Sequence, residues 1–88
     1  MTRIFVLLLS LAAGGEKFPV GHACLAASEC ASGVCEGKGC DDKSPGQCVE
    51  ARRICPHNRV PFCGCDGKTF SQSSACPGTR YRDRGACP

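Results

Sequence analysis

The sequence predicts a small disulfide-rich fold: a short two- or three-stranded β ribbon with little helix. Three observations carry that expectation. Ten cysteines stand in 88 residues, and all ten fall after position 14, a density above the roughly 8–10% that marks disulfide scaffolds. Large apolar side chains are scarce: beyond residue 14 the whole stock is Phe18, Val20, Leu25, Val34, Val49, Ile54, Val60, Phe62, Phe70 and Tyr81. So few cannot offset about 1.5 kcal/mol of ordering entropy per residue, whereas each disulfide contributes about 2–4 kcal/mol. Finally, Gly, Pro and Ser recur every few residues, as in Ser44-Pro45-Gly46 and Pro77-Gly78-Thr79, so the connections read as turns. Cys24, Cys30, Cys35, Cys40, Cys48, Cys55, Cys63, Cys65, Cys76 and Cys87 are all expected to be oxidised. An enzyme domain with a cofactor site does not fit in such a chain, and no cofactor is expected.

The elements follow in order. Met1-Thr2-Arg3 supplies one positive charge, residues 4–13 form an apolar run interrupted by Ser10, and Ala12-Ala13-Gly14 offers small residues for cleavage. This is the form of a secretory signal peptide over residues 1–14. A transmembrane helix needs about twenty apolar residues, so no membrane span is expected. The mature chain is expected to be secreted, extracellular and monomeric, in a compartment where disulfides persist.

A four-cysteine module is expected over residues 15–45, with the spacing Cys24-x5-Cys30-x4-Cys35-x4-Cys40. Within it, the segment from Leu25 to Ala31 is the best helix candidate, about two turns long. Ser44-Pro45-Gly46 marks a boundary, and charge changes sign nearby: residues 16–50 carry a net −3 and residues 51–88 a net +5. Four cysteines before the boundary and six after it allow each module to close internally, which reduces about 945 connectivities to about 45. The simplest closure of the first module is Cys24–Cys35 with Cys30–Cys40, since short loops close at lower entropic cost.

The second module spans residues 46–88. Its clearest strand is Val60-Pro61-Phe62-Cys63, followed by Gly64-Cys65-Asp66-Gly67-Lys68 and Thr69-Phe70. Asp66-Gly67 is a hairpin-turn dipeptide, because glycine accepts the positive φ such turns need. The resulting register sets Phe62 beside Phe70 in what little apolar core there is.

The run from Cys55 to Phe70, with cysteine, seven residues, then Cys63-Gly64-Cys65-Asp66-Gly67-Lys68-Thr69-Phe70, resembles the heart of a Kazal-type serine protease inhibitor domain. The match covers about 40 residues, 48–87. Cys48, Cys55, Cys63 and Cys87 correspond to the first, second, third and last cysteines of that family. Cys65 stands where the family has a small residue, and Cys76 alone replaces two closely spaced cysteines. By analogy the resemblance implies Cys48–Cys65, Cys55–Cys76 and Cys63–Cys87. The stretch between Cys76 and Cys87 is too short, and too rich in Gly, Pro and Arg, for the helix of that family. The preceding four-cysteine cluster, by order and count, is similar to the hairpin that precedes the Kazal domain in follistatin-type modules.

The resemblance also implies a function. The loop Pro56, His57, Asn58, Arg59, Val60 would be presented to a serine protease as an extended, substrate-like segment, with His57 entering the primary specificity pocket and His57–Asn58 as the scissile bond. Pro56 stands where the family often has a hydroxyl residue that ties the loop to its scaffold. The partner would be a serine protease, or another extracellular protein if the module is non-inhibitory.

Three other classes are weaker. Cys55, His57, Cys63 and Cys65 have the residue types of a zinc site, but oxidation of the cysteines removes both that site and any thiol nucleophile paired with His57; no metal and no catalytic residue are expected. The arginines alternate with cysteine and glycine rather than with stacking aromatics, so no nucleic-acid partner is expected. A basic antimicrobial or toxin-like peptide draws on Arg80, Arg82 and Arg84, with Tyr81 the lone apolar residue among them.

Overall fold

The computed structural model describes residues 16–88; the leader expected over 1–14 lies outside the described residues. Six short strands form one sheet: β1 (Ala23–Cys24), β2 (Cys35–Lys38), β3 (Gly46–Cys48), β4 (Val60–Gly64), β5 (Thr69–Gln72) and β6 (Arg80–Arg84). Their order is β1-β3-β2-β6-β4-β5. The small disulfide-rich class is as expected, but there are six strands rather than two or three. Of the others, β1, β2 and β3 are short polar segments that each carry a bridged cysteine, whereas β6 has no cysteine and is held by its pairing with β2 and β4.

The β4–β5 hairpin is the part built most directly from local sequence. Phe62 pairs with Phe70 and Cys63 with Thr69. The Gly67 N–H donates to the Gly64 carbonyl at 3.0 Å and the Gly64 N–H to the Lys68 carbonyl at 2.9 Å. That pattern is a three-residue hairpin loop ending in a bulge, and it places Gly67 at φ +82°, where a side chain is strained. The Asp66 carboxylate accepts the Lys68 N–H at 3.0 Å, holding the turn from inside. Pro61 is tolerated in β4 because its carbonyl faces Gly85, one residue past the end of β6, at 2.9 Å. The donor it lacks is therefore missing only at the sheet margin.

Expected helix over residues 25–31 reduces to a single 3-10 turn, Ala27–Glu29. Both ends of the segment are tied: Cys24 lies in β1, and Cys30 makes a β-bridge with Phe18. Ala26 and Cys30 are consequently extended, and one turn is all that fits between them. Leu25 ends 43% exposed, so the apolar side that suggested a helix has no core to face.

Burial divides into two centres. Cys24, Cys30, Cys35 and Cys48 form a buried sulfur cluster at the β1-β3-β2 side. Phe62 is fully buried at the other side, its ring 5.4 Å from Phe70 and 4.9 Å from Tyr81, beside the buried Cys63. Phe18, Val20, Leu25 and Ile54, four of the ten large apolar residues, remain exposed. Sulfur and one aromatic group thus replace an ordinary aliphatic core.

The two centres meet where β2 runs parallel to β6, with Gly37 opposite Arg80 and Lys38 opposite Tyr81. Gly46 makes this seam possible: a β-carbon there would sit 2.8 Å from the Glu36 carbonyl oxygen and 3.2 Å from Cγ of Arg80. The Arg80 guanidinium crosses the seam and donates to the carbonyls of Leu25 at 2.9 Å, Asp41 at 2.7 Å and Ser44 at 2.8 Å. Glu36 crosses it in the other direction. Its carboxylate accepts two bonds from Arg53, one of them Nη1 to Oε1 at 3.1 Å, and the Gly78 N–H at 2.8 Å.

All ten cysteines are paired: Cys24–Cys35, Cys30–Cys48, Cys40–Cys65, Cys55–Cys76 and Cys63–Cys87. Three bridges match expectation. The expected Cys30–Cys40 and Cys48–Cys65 do not form, and closure within two separate modules fails with them. The cause is strand pairing. β3 lies antiparallel to β2 with Cys48 opposite Cys35, which delivers Cys48 into the sulfur cluster beside Cys30. Tyr81 is the register partner of both Lys38 and Gly64, so Cys40 and Cys65, just past those residues, emerge at the same end of the sheet.

Cys40–Cys65 is the one bridge among the described residues with both cysteines exposed. Accessible disulfides are attacked first. Mild reduction of the folded protein, trapping with an alkylating agent and mapping should therefore label Cys40 and Cys65 before any other pair. First labelling at Cys30, Cys48 or Cys63 would contradict this burial pattern.

Candidate reactive loop

Between β3 and β4 the chain runs through residues 49–59 without regular structure, and it reaches β4 at Val60. Within this connection Pro56, His57, Asn58 and Arg59 are exposed, while Val60 is half-buried as the first residue of β4. The turn chemistry of Pro and Asn suits such a segment. The five residues expected to act together are thus contiguous in space, with four of them on the surface.

The loop is held from both sides. On its N-terminal side Cys55 is bridged to Cys76. Toward its C-terminal side the Asn58 amide donates to Ser74 Oγ at 3.0 Å and its carbonyl oxygen accepts the Ser74 N–H at 3.3 Å. The Arg59 guanidinium donates to the Ser71 carbonyl at 3.1 Å. All of these anchors belong to the segment of β5 and the turn after it, where Ser73 and Cys76 form their own bridge. Arg84 adds a third layer: it donates to the Ser74 carbonyl at 3.0 Å and lies over the Phe62 ring with its Cζ 5.2 Å from the centroid. The aromatic centre therefore supports the anchor, and the anchor supports the loop.

A solvent-open depression of about 460 Å³ separates residues 56–59 from Gln72 and Ser73. His57 stands at its rim, two residues from the disulfide and one from the Asn58 tie. No tie is made by the His57 side chain among the described residues, so its imidazole is available to a partner while its backbone is restrained from either side. A segment of this kind can enter another protein's cleft without first being ordered.

The zinc-like constellation does not assemble. Cys55, Cys63 and Cys65 have three different disulfide partners, so none of them offers a thiolate. The sulfurs of Cys24, Cys30 and Cys48 lie within 4.8 Å of one another, and each is likewise consumed in a bridge. The basic half of the chain is largely spent internally: Arg53, Arg59, Arg80 and Arg84 all donate to carboxylate or carbonyl oxygens of the protein itself.

Ser71, Ser74 and Glu36 are the contributors that the sequence does not announce. The run Ser71-Gln72-Ser73-Ser74 has only the character of a polar turn, and the value of Ser74 appears once Cys55–Cys76 brings it beside Asn58. No helix among the described residues is long and apolar enough to cross a membrane. No family model matches the chain, and neither a curated protein nor a solved structure matches it at a significant level.

Proposed function

We propose that the protein is a secreted, Kazal-like serine protease inhibitor that presents residues 56–60 as a disulfide-braced, substrate-like loop, with His57 as the residue that enters the primary specificity pocket. The observation that carries this reading is the exposed His57 held between the Cys55–Cys76 bridge and the Asn58–Ser74 hydrogen bonds. Ordering a loop in advance removes much of the entropic cost of binding. It also keeps both ends of a cleaved bond in place, which favours religation over release. Asn58 supplies the tie to the scaffold that the family draws from a hydroxyl residue at the position of Pro56. Five disulfides in so short a chain are typical of extracellular proteins, in keeping with secretion. The antimicrobial reading gains nothing from Arg80 and Arg84, whose guanidinium groups are engaged within the fold.

The reading is tested at His57. Substituting His57→Lys should create or strengthen inhibition of a trypsin-like enzyme, whose pocket acid pairs with the ammonium, and His57→Leu should shift preference to chymotrypsin- or elastase-like enzymes. Neither change should move the thermal midpoint by more than about 2–4 °C, because an exposed loop side chain contributes within about 0.5 kcal/mol. Prolonged incubation with an inhibited enzyme should leave slow, limited cleavage at His57–Asn58. A folded, uncleaved His57→Lys protein with no effect on trypsin would sink the inhibitor reading in favour of a non-inhibitory extracellular protein-binding module.

A further inference from the structure

The connection from β3 to β4 carries a second feature, upstream of the loop just described: Arg52-Arg53 followed by Ile54, the last fully exposed to solvent. The N–H groups of residues 50–59 have no backbone partner among the described residues. A protease must draw about six residues into an extended strand, and segments without backbone hydrogen bonds open at the least cost. The two arginines differ. Arg53 is clamped by its paired bonds to the Glu36 carboxylate, whereas Arg52 is exposed and its side chain makes no hydrogen bond or ion pair among the described residues.

We propose that Arg52–Arg53 is a processing site for a trypsin-like serine protease that reads Arg52. Hydrolysis breaks the amide bond between them; the hydroxyl of water ends on the Arg52 carbonyl carbon and a proton on the Arg53 nitrogen. Its product is a two-chain protein. Cys24–Cys35 and Cys30–Cys48 lie wholly before the cut, Cys55–Cys76 and Cys63–Cys87 wholly after it, and Cys40–Cys65 becomes the sole covalent link. The new end stays docked, because the Arg53 clamp to Glu36 lies on the C-terminal side of the broken bond.

Other basic residues are poorer sites. Lys38, Arg80, Arg82 and Arg84 are inside strands, the N–H of the Lys17–Phe18 bond is held by the Glu29 carbonyl at 2.8 Å, the Lys68 carbonyl and N–H are both bonded in the hairpin turn, and the Lys43 N–H is held by Asp41. Arg59 is tied to Ser71 and is followed by β4.

The test is limited digestion of the oxidised full chain with trypsin, read by intact mass with and without reduction and by N-terminal sequencing. The expected first product is one water heavier, stays single until reduced, then yields a chain beginning at Arg53. Substituting Arg52→Gln should slow the first cut by at least about tenfold, since Arg53 must leave a charge-assisted pair before it can serve. Freeing it with Glu36→Gln should add a cut at Arg53–Ile54. A first cut elsewhere, including Arg59–Val60, overturns the proposal, as does an uncut chain under conditions that digest the reduced protein, or an Arg52→Gln protein cut as fast as the parent. The site is separate from His57, so His57→Leu should leave this cleavage unchanged.

Discussion

Replacing Phe62 with alanine should lower folding stability by about 3–5 kcal/mol, the cost of emptying a well-packed aromatic site. Among the described residues Phe62 and Tyr81 are the only buried large side chains that are not cysteine, and Phe62 joins three neighbours from β5 and β6. Its ring stacks on Phe70, lies tilted against Tyr81 and carries the Arg84 guanidinium on its face. Aromatic pairs add about 0.5–1.5 kcal/mol beyond the area they bury, and the cavity cannot be refilled where so few apolar neighbours exist. Arg84 would also lose the surface that directs it to Ser74, so the loss should reach the loop at residues 56–59. Urea unfolding with all disulfides intact measures the effect, and exchange of the Ser74 amide reads its spread. For contrast, Ile54→Ser should be silent within about 0.5 kcal/mol, because Ile54 is fully exposed. A Phe62→Ala cost below about 1 kcal/mol would show that the bridges alone hold this half together.

Removing the Cys30–Cys48 bridge is the second large perturbation. It closes a separation of 18 residues, and Cys40–Cys65 closes one of 25, so chain entropy gives the two bridges nearly equal weight, about 3–3.5 kcal/mol each. They differ in burial. Cys30 and Cys48 are 1% and 0% exposed, whereas Cys40 and Cys65 are on the surface. Alanine replacement of the buried pair also removes sulfur from the cluster and leaves space among Cys24 and Cys35. Cys30→Ala/Cys48→Ala should therefore cost about 1–2 kcal/mol more than Cys40→Ala/Cys65→Ala, at about 25 cal/mol per Å² of apolar surface lost. Thermal or urea unfolding of the two double variants decides it. Equal costs would mean that the sulfur cluster adds nothing beyond its cross-links.

Much of this molecule was legible in the chain itself. Cysteine density against ten large apolar residues dictates oxidation of all ten thiols, because no other term can offset the ordering entropy. The β4–β5 hairpin, its turn at Asp66-Gly67 and the meeting of Phe62 with Phe70 follow from local rules of φ and side-chain alternation, which act over a few residues and need no knowledge of the rest. Closure of Cys24–Cys35 belongs here too, since it spans a separation of only 11 residues. The loop from Pro56 to Val60, by contrast, is marked out by the resemblance to a Kazal domain and not by a local rule.

Tertiary structure decided what loop entropy cannot. Choosing Cys48 over Cys40 as the partner of Cys30 lengthens the loop from 10 to 18 residues, at a cost of about 0.5 kcal/mol, less than one or two hydrogen bonds of the β2–β3 ladder return. Pairing of Cys40 with Cys65 follows from Tyr81 standing opposite both Lys38 and Gly64, a coincidence of register between strands that lie far apart in the chain. The same long-range register gives Glu36 its three donors and Arg80 its three carbonyls, whereas Ser74 reaches Asn58 through the Cys55–Cys76 bridge and the continuation of the β4–β5 register. Composition and spacing thus determined that the chain is cross-linked and where it turns. Strand pairing across the Gly46 seam determined which cysteines meet, because a few ladder hydrogen bonds outweigh the small entropic preference for the nearest partner.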